Sequence, residues 1–455
     1  MQSKIFFYGG AGAVTGANFL LDTGGGKFLV DCGLRQGMQK DEDTNAKPFA
    51  YNPAEVSHLF VTHAHIDHVG RIPKLVRDGF KGKIISTHAT RAIAEPLLYD
   101  AFERMRYMQR TSGETPIFDA HDIAESFKLW EARTYHEPVA LPDGASAELL
   151  DAGHILGSAM IQFARASRTA VFTGDLGGGN SPLLPKVEDL SGVNYLIMES
   201  VYGDRTRPED KDRRDMLEDV IEDTIARGGT LLIPAFSTER TQDLLYEIRT
   251  LMVERRVPSV PVYLDSPLAE QITASYLKEP DYFAPAIAAR VRKGENIFAF
   301  PELHFVRTQE ESNSIRKDSG PKIILAGSGM GQGGRVVAHE EHLLPDARNT
   351  VLLVGYQAAG TLGRMLFEGV KKLRLYNRDI AVKAHIGAIY GYSAHMDGEA
   401  LLEFANKTKA ASALEQVFVV EGEPAASSFL AQRIRDYLGT KATTPEAGDS
   451  ATIEL

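Results

Sequence analysis

The segment THAHIDHVG at Thr62–Gly70 sets the tightest limit on what this chain can fold into and do. It follows the apolar run LFV, so it is predicted to sit at the end of a strand, and it packs His63, His65, Asp67 and His68 into six residues. Alternate residues of an extended segment point the same way, which lets His63 and His65 converge on one ion. Asp67 and His68 fall in the turn beyond, within reach of a second ion. Imidazole and carboxylate are the donor types that suit zinc at a hydrolytic site. Isolated histidines such as His88 and His304 are read as ordinary surface or core residues.

Two further segments supply what the cluster lacks. His154 lies in DAGHILGSAM and Asp175 in FTGDLG, each at the end of a predicted strand and beside glycine, which lets the backbone turn and leaves room for a ligand. His154 would complete the first set of donors, and Asp175 would bridge both ions. Asp31, in LVDCG, also ends a strand; it is expected to orient a ligand or the metal-bound water, with a plain turn aspartate as the alternative. Cys32 is read as a buried small side chain beside the site, not as a ligand. Two ions about 3.5–4 Å apart can activate a water and hold developing charge, so the reaction class is hydrolysis, with no redox or nucleotide cofactor implied.

The rest of the chain bounds the setting. At 455 residues it is long enough for two or three domains. No apolar run approaches the ~18–20 residues of a membrane span. No secretory signal is visible, and one cysteine suits a reducing cytoplasm, so a cytoplasmic protein with no membrane partner is expected. The formal charge, 50 − 61 = −11, argues against a simple basic glove for nucleic acid. It does not exclude an enzyme that neutralises phosphate locally with metal ions.

The first ~200 residues read as short strands separated by glycine turns. They include KIFFYGG, GKFLVDCG, GKIISTHA and NYLIMES, with a helix expected over Arg91–Met108. From about Thr206, helices such as RRDMLEDVIEDTIARG alternate with apolar strands such as TLLIPAF and KIILAGSG, the pattern of a parallel, doubly wound α/β unit. After Asn377 the earlier style returns, with one strand expected over IAVKAHIGAIYGYS. The reading is therefore a first domain in two parts, 1–205 and 379–455, split by an inserted unit at 206–378.

At this point the chain resembles the metallo-β-lactamase superfamily over roughly residues 1–200 and 380–455. The order Asp31, HAHIDH, His154, Asp175 is that superfamily's motif series. MESVYGDR at Met198–Arg205, with Glu199, and GYSAHMD at Gly391–Asp397, with His395, resemble the acidic and histidine motifs of its β-CASP branch. The inserted unit, with PAFSTERTQDLLYEI and VGYQAAGTLGR, resembles the β-CASP domain. The resemblance implies an α/β fold, an αββα sandwich carrying an inserted β-CASP α/β domain. It implies a nuclease, closest to the branch of RNA-degrading enzymes and the pre-mRNA 3′-end endonuclease, acting on single-stranded RNA held in the cleft between the two domains.

The resemblance also implies roles. His63, His65, His154 and Asp175 would hold one zinc, and Asp67, His68 and Asp175 the other. Asp67, Asp31, Glu199 and His395 would form the catalytic group, with His395, supported by Glu199, protonating the leaving oxygen. Ser393, in the histidine motif, and Ser328 and Arg335, in the glycine-rich GSGMGQGGR, are candidate substrate contacts. That loop matches neither a P-loop nor a dinucleotide fingerprint. One position departs from the family: the late V-H-G-E histidine is replaced in VFVVEGEP by Glu421. Glu421 is expected to substitute as an oxygen ligand, which would favour a harder metal such as Mn2+ at the second site. DNA as substrate and a homodimer are left open. A thioester or lactone hydrolase and a non-catalytic nucleic-acid-binding paralogue are the competing readings.

Overall fold

The computed structural model describes residues 2–37, 44–206, 213–331, 333–355, 357 and 360–455. Gln332 of the glycine-rich loop and Tyr356, Ala358 and Ala359 of VGYQAAGTLGR lie outside the described residues. The chain divides into two units. One comprises Met1–Gly179, Leu184–Thr206 and Ala394–Leu455; the other comprises Asn180–Leu183 and Arg207–Ser393.

The first unit is built on two sheets of seven strands each among the described residues. Across the first sheet run Ser450–Glu454, Gln2–Gly9, Asn18–Asp22, Lys27–Val30, His58–Phe60, Lys83–Thr87 and Trp130–Arg133. Across the second run Lys441–Thr443, Gln416–Val419, Tyr195–Met198, Arg168–Phe172, Ala159–Arg165, Ala145–Asp151 and Val139–Ala140. Alternating apolar residues on the facing surfaces form one buried cluster between the sheets. Its aromatic rings pair across the gap, Phe28 and Phe60 with Phe163 at 6.0 and 5.2 Å and Phe19 with Phe172 at 6.0 Å. Phe163 and Phe172 are 1% exposed.

Helices cover the outer faces, giving the αββα layering. His88–Ser112 packs on the first sheet, and the apolar faces of Gly398–Ala410 and Pro424–Leu438 close a second cluster against the second sheet. The helix expected over Arg91–Met108 starts earlier because the Thr87 side chain accepts from the Thr90 N–H as a cap. It ends at Gly113, whose φ of 80° is the left-handed stop that glycine adopts without strain.

This architecture positions the site through strand ends. Lys27–Val30 and His58–Phe60 are parallel, as are Arg168–Phe172, Tyr195–Met198 and Gln416–Val419. Asp31 and His63 therefore leave the first sheet at one end. Asp175, Glu199 and Glu421 likewise leave the second at one end.

The second unit carries a six-stranded sheet in the order Leu303–Phe305, Val262–Asp265, Lys322–Ala326, Thr230–Pro234, Thr350–Leu353 and His385–Ala388, all paired in parallel. The single strand expected over IAVKAHIGAIYGYS is instead divided. Arg378–Ala381 forms a hairpin with Lys372–Leu375, His385–Ala388 joins the six-stranded sheet, and Tyr390–Tyr392 is a 3-10 turn. No helix among the described residues is long and apolar enough to cross a membrane.

Candidate metal centre

The donors come together on turns that tolerate no bulk. Gly33 lies so close to the histidine motif that a Cβ there would meet the Asp67 carbonyl at 1.4 Å. That approach lets the Cys32 N–H donate to the His68 carbonyl at 2.8 Å. Gly174, with φ 51°, brings the Asp175 turn against Thr62, and a Cβ would meet the threonine side chain at 2.7 Å.

His63, His65, His154 and Asp175 each offer one donor atom, and these atoms lie within 4.8 Å of one another. His63 Nε2 and His154 Nε2 each stand 3.4 Å from Asp175 Oδ2. His65 Nδ1 faces His63 Nε2 at 2.9 Å and His154 Nε2 at 3.4 Å. Burial lowers the pKa of His63 and holds those of His65 and His154 well below the ordinary 6.5. Three neutral imidazoles and a carboxylate turned on one point, with the His154 Nδ1 left without a hydrogen-bond partner, suit a divalent cation.

The other Asp175 oxygen faces a different histidine. Its Oδ1 lies 3.7 Å from His68 Nε2, so one carboxylate presents one oxygen to each of two histidine groups. His68 Nδ1 is held by Asp31 Oδ2 at 2.8 Å, and Asp31 is itself fixed by the Thr62 N–H at 2.8 Å and hydroxyl at 2.7 Å. Burial opposes a charge on His68, but Asp175 and Asp31 outweigh it and hold its pKa well above the usual value. The half-buried Asp67 has its carboxyl pKa raised, by burial first, with His68 lowering it and Asp175 raising it. Asp175 is held well below the carboxylate range: burial raises it, and the facing His68, His395 and His63 overcome that.

Glu421 follows the strand Gln416–Val419 at φ 51°, its N–H donating to the Gly10 carbonyl at 2.5 Å. It is 1% exposed, and its Oε1 lies 3.9 Å from His68 Nδ1 without a hydrogen-bond partner. It thus groups with Asp31 and His68. Burial, reinforced by Asp175, Asp31 and Glu199, pushes its pKa well above the usual range. A buried carboxyl oxygen with no hydrogen-bond partner, beside a histidine and a second carboxylate, is a donor that suits a cation.

A third group adjoins the first. His395 Nδ1 is 3.3 Å from Glu199 Oε1 and 3.9 Å from Asp175 Oδ2. Glu199 is buried, receives the Leu176 N–H at 2.6 Å, and has its pKa raised by burial. The His395 segment is stitched to the Asp175 turn: Gly178 N–H donates to the Ala394 carbonyl at 2.6 Å and Met396 N–H to the Leu176 carbonyl at 2.9 Å.

The candidate contacts of the second unit are placed differently. Arg335 donates to Asp265 Oδ1 at 2.6 Å and to the carbonyls of Val306 and Arg307 at 2.9 and 2.8 Å. Ser328 is half-buried in its loop, and the buried Ser393 Oγ has no hydrogen-bond partner. Cys32 is buried within the first unit, its thiol pushed up to about 12 by burial. Sequence reasoning missed the parts played by Thr62, by Ser158, whose Oγ accepts the His154 N–H at 2.9 Å, and by Tyr202, whose ring lies 5.8 Å from His395. Thr62 and Ser158 sit one and four residues from a candidate ligand, but only a fold shows that their hydroxyls turn inward.

Fold and site together define a hydrolase of the metallo-β-lactamase class. The model of the metallo-β-lactamase superfamily matches residues 11–228, that of the Beta-Casp domain 241–366, and that of the Zn-dependent metallo-hydrolase RNA specificity domain 379–445. Ribonuclease TTHA0252 of Thermus thermophilus is 36% identical over 88% of this chain and 90% of its own length. An RNase J-like protein of Methanocaldococcus jannaschii is 31% identical over 97% and 98%, and transcription termination factor FttA of Methanosarcina mazei 30% over 99% and 71%. A crystal structure of a protein of unknown function from Enterococcus faecalis shares the fold, with a TM-score of 0.55 at 11% identity and all of both chains covered. The chain belongs to the β-CASP family of metal-dependent hydrolases within the metallo-β-lactamase superfamily.

Proposed function

We propose that the protein is a zinc-dependent ribonuclease that hydrolyses phosphodiester bonds of single-stranded RNA. The observation that carries this reading is the double use of Asp175, one oxygen toward His63 and His154 and the other toward His68, with His395 beside it. His63, His65, His154 and Asp175 would hold one ion; Asp67, His68, Asp175 and Glu421 would hold a second. When bound, such a pair supplies an activated water and positive charge for the phosphate. Local charge of this kind is what a chain of net charge −11 needs to accept a polyanion.

The chain's own residues do the rest. Asp31 locks His68 through Nδ1 and leaves Nε2 turned toward Asp175. Glu199 accepts from His395 Nδ1, which sets the ring's orientation and favours its protonated form; His395 then gives its proton to the leaving oxygen as general acid. The names of the relatives, ribonuclease and RNase J-like protein, support RNA as the substrate.

The test is cleavage of an end-labelled single-stranded RNA, with metal content measured on the same samples. Zinc-dependent cutting that Asp175→Ala abolishes, together with loss of bound metal, is the expected outcome. No cutting by the wild type with either zinc or manganese supplied would refute the reading.

A further inference from the structure

The inserted unit holds a buried ionic cluster that takes in residues a few positions along the chain from Asp175 and His395. Helix Arg240–Val253 presents Asp243 and Glu247 one turn apart on one face. Arg213, with its side chain 9% exposed, donates to Asp243 Oδ2 at 2.8 Å and to Glu247 Oε1 at 3.0 Å, and its guanidinium lies 4.5 Å over the Tyr392 ring. The Tyr392 hydroxyl donates to Glu247, and the ring is fully buried. Arg213 also donates to the Gly391 carbonyl at 3.1 Å, and the Ser181 hydroxyl to Asp243 Oδ1 at 2.8 Å.

The place of these partners in the sequence gives the cluster its meaning. Tyr392 precedes His395 by three residues, so their Cα atoms are within ~11 Å by chain length alone. Ser181 follows Asp175 by six. Both segments are therefore held at one end by the cluster and at the other by the pairing of Leu176–Gly178 with Ala394–Met396. A buried ion cluster adds little net stability compared with an apolar one, so its presence at this point calls for another role. Its directional bonds fix geometry to a degree that apolar packing does not.

We propose that Tyr392, Glu247 and Arg213, with Asp243 and Ser181, are positioning residues that set where the His395 and Asp175 segments enter the site. The inference rests on the functional reading above. None of the five contacts substrate; they act through the backbone that bears the reacting groups.

Tyr392→Phe keeps the ring under Arg213 and removes the hydroxyl's bond to Glu247. Ser181→Ala removes the tie on the other segment. Ser312→Ala, which removes a 2.6 Å hydrogen bond to Asp265 in the same unit, is the control for a merely structural loss. Hydrogen exchange is read on the full chain at residues 176–178 and 394–396, and cleavage kinetics are measured in parallel. Tyr392→Phe is expected to speed exchange at 394–396 and 176–178 by about fivefold, the scale of one net hydrogen bond, and to lower kcat similarly with KM unchanged. Ser181→Ala should act on 176–178, and Ser312→Ala on neither segment. Exchange at both segments equal to wild type in Tyr392→Phe and Ser181→Ala would overturn the proposal, whatever their melting temperatures. Should the wild type cut no RNA, the functional reading falls, while exchange still decides the positioning role.

Discussion

Glu340→Gln tests the electrostatics of the inserted unit. Glu340 lies on helix Arg335–Leu343, is 0% exposed, and neither carboxyl oxygen has a hydrogen-bond partner. It sits beneath Gly331, where a Cβ would come within 3.1 Å of its Oε1. Burial alone raises its pKa from 4.5 to about 8. The folded protein therefore keeps a proton that the unfolded chain has given up, and stability falls as pH rises from about 4.5 to about 8. A rise from 4.5 to about 8 corresponds to a loss of about 5 kcal/mol once pH exceeds 8, of which less than about 1 kcal/mol has accrued at pH 5. Glutamine has nearly the same shape and does not titrate. Its melting temperature should match wild type at pH 5 and exceed it at pH 8.5 by on the order of 10 °C, at ~2–4 °C per kcal/mol for a unit of this size. Thermal unfolding of both proteins from pH 5 to 9 is the assay. Parallel curves for the two proteins would mean that the buried carboxyl of Glu340 has found a partner or solvent and does not hold its proton to about pH 8.

Two changes probe the metal centre. Asp31→Asn turns an acceptor for His68 Nδ1 into a group that can place an N–H there, and should weaken metal binding by about 10- to 100-fold in a chelator competition; unchanged affinity would show that Asp31 does not orient His68. Glu421→Ala should lower the bound metal toward one ion per chain by elemental analysis, and a variant that keeps both ions and full activity would remove Glu421 from the ligand set.

How much of this could be read in advance depends on distance along the chain. The HAHIDH spacing, the glycines beside His154 and Asp175, and the strand ends that carry them were legible because each is set within a few residues by backbone geometry. The family motifs then pointed to Glu199, His395 and the departure at Glu421. Local sequence did not show that IAVKAHIGAIYGYS breaks into a hairpin strand, an edge strand and a turn, since a β-rich run fits any sheet edge that the fold offers. Nor could it show that Arg335 is engaged by Asp265, 70 residues away, or that Tyr392 reaches Glu247, 145 residues away. The order of residues along the chain set which donor types this protein has and which strands end in them. That the two Asp175 oxygens face different histidines, and that the Tyr392 hydroxyl finds a buried carboxylate, came from the folded packing alone. Such bonds join residues whose separation along the chain places no limit on their meeting, and the packing of sheets and helices alone sets their distance.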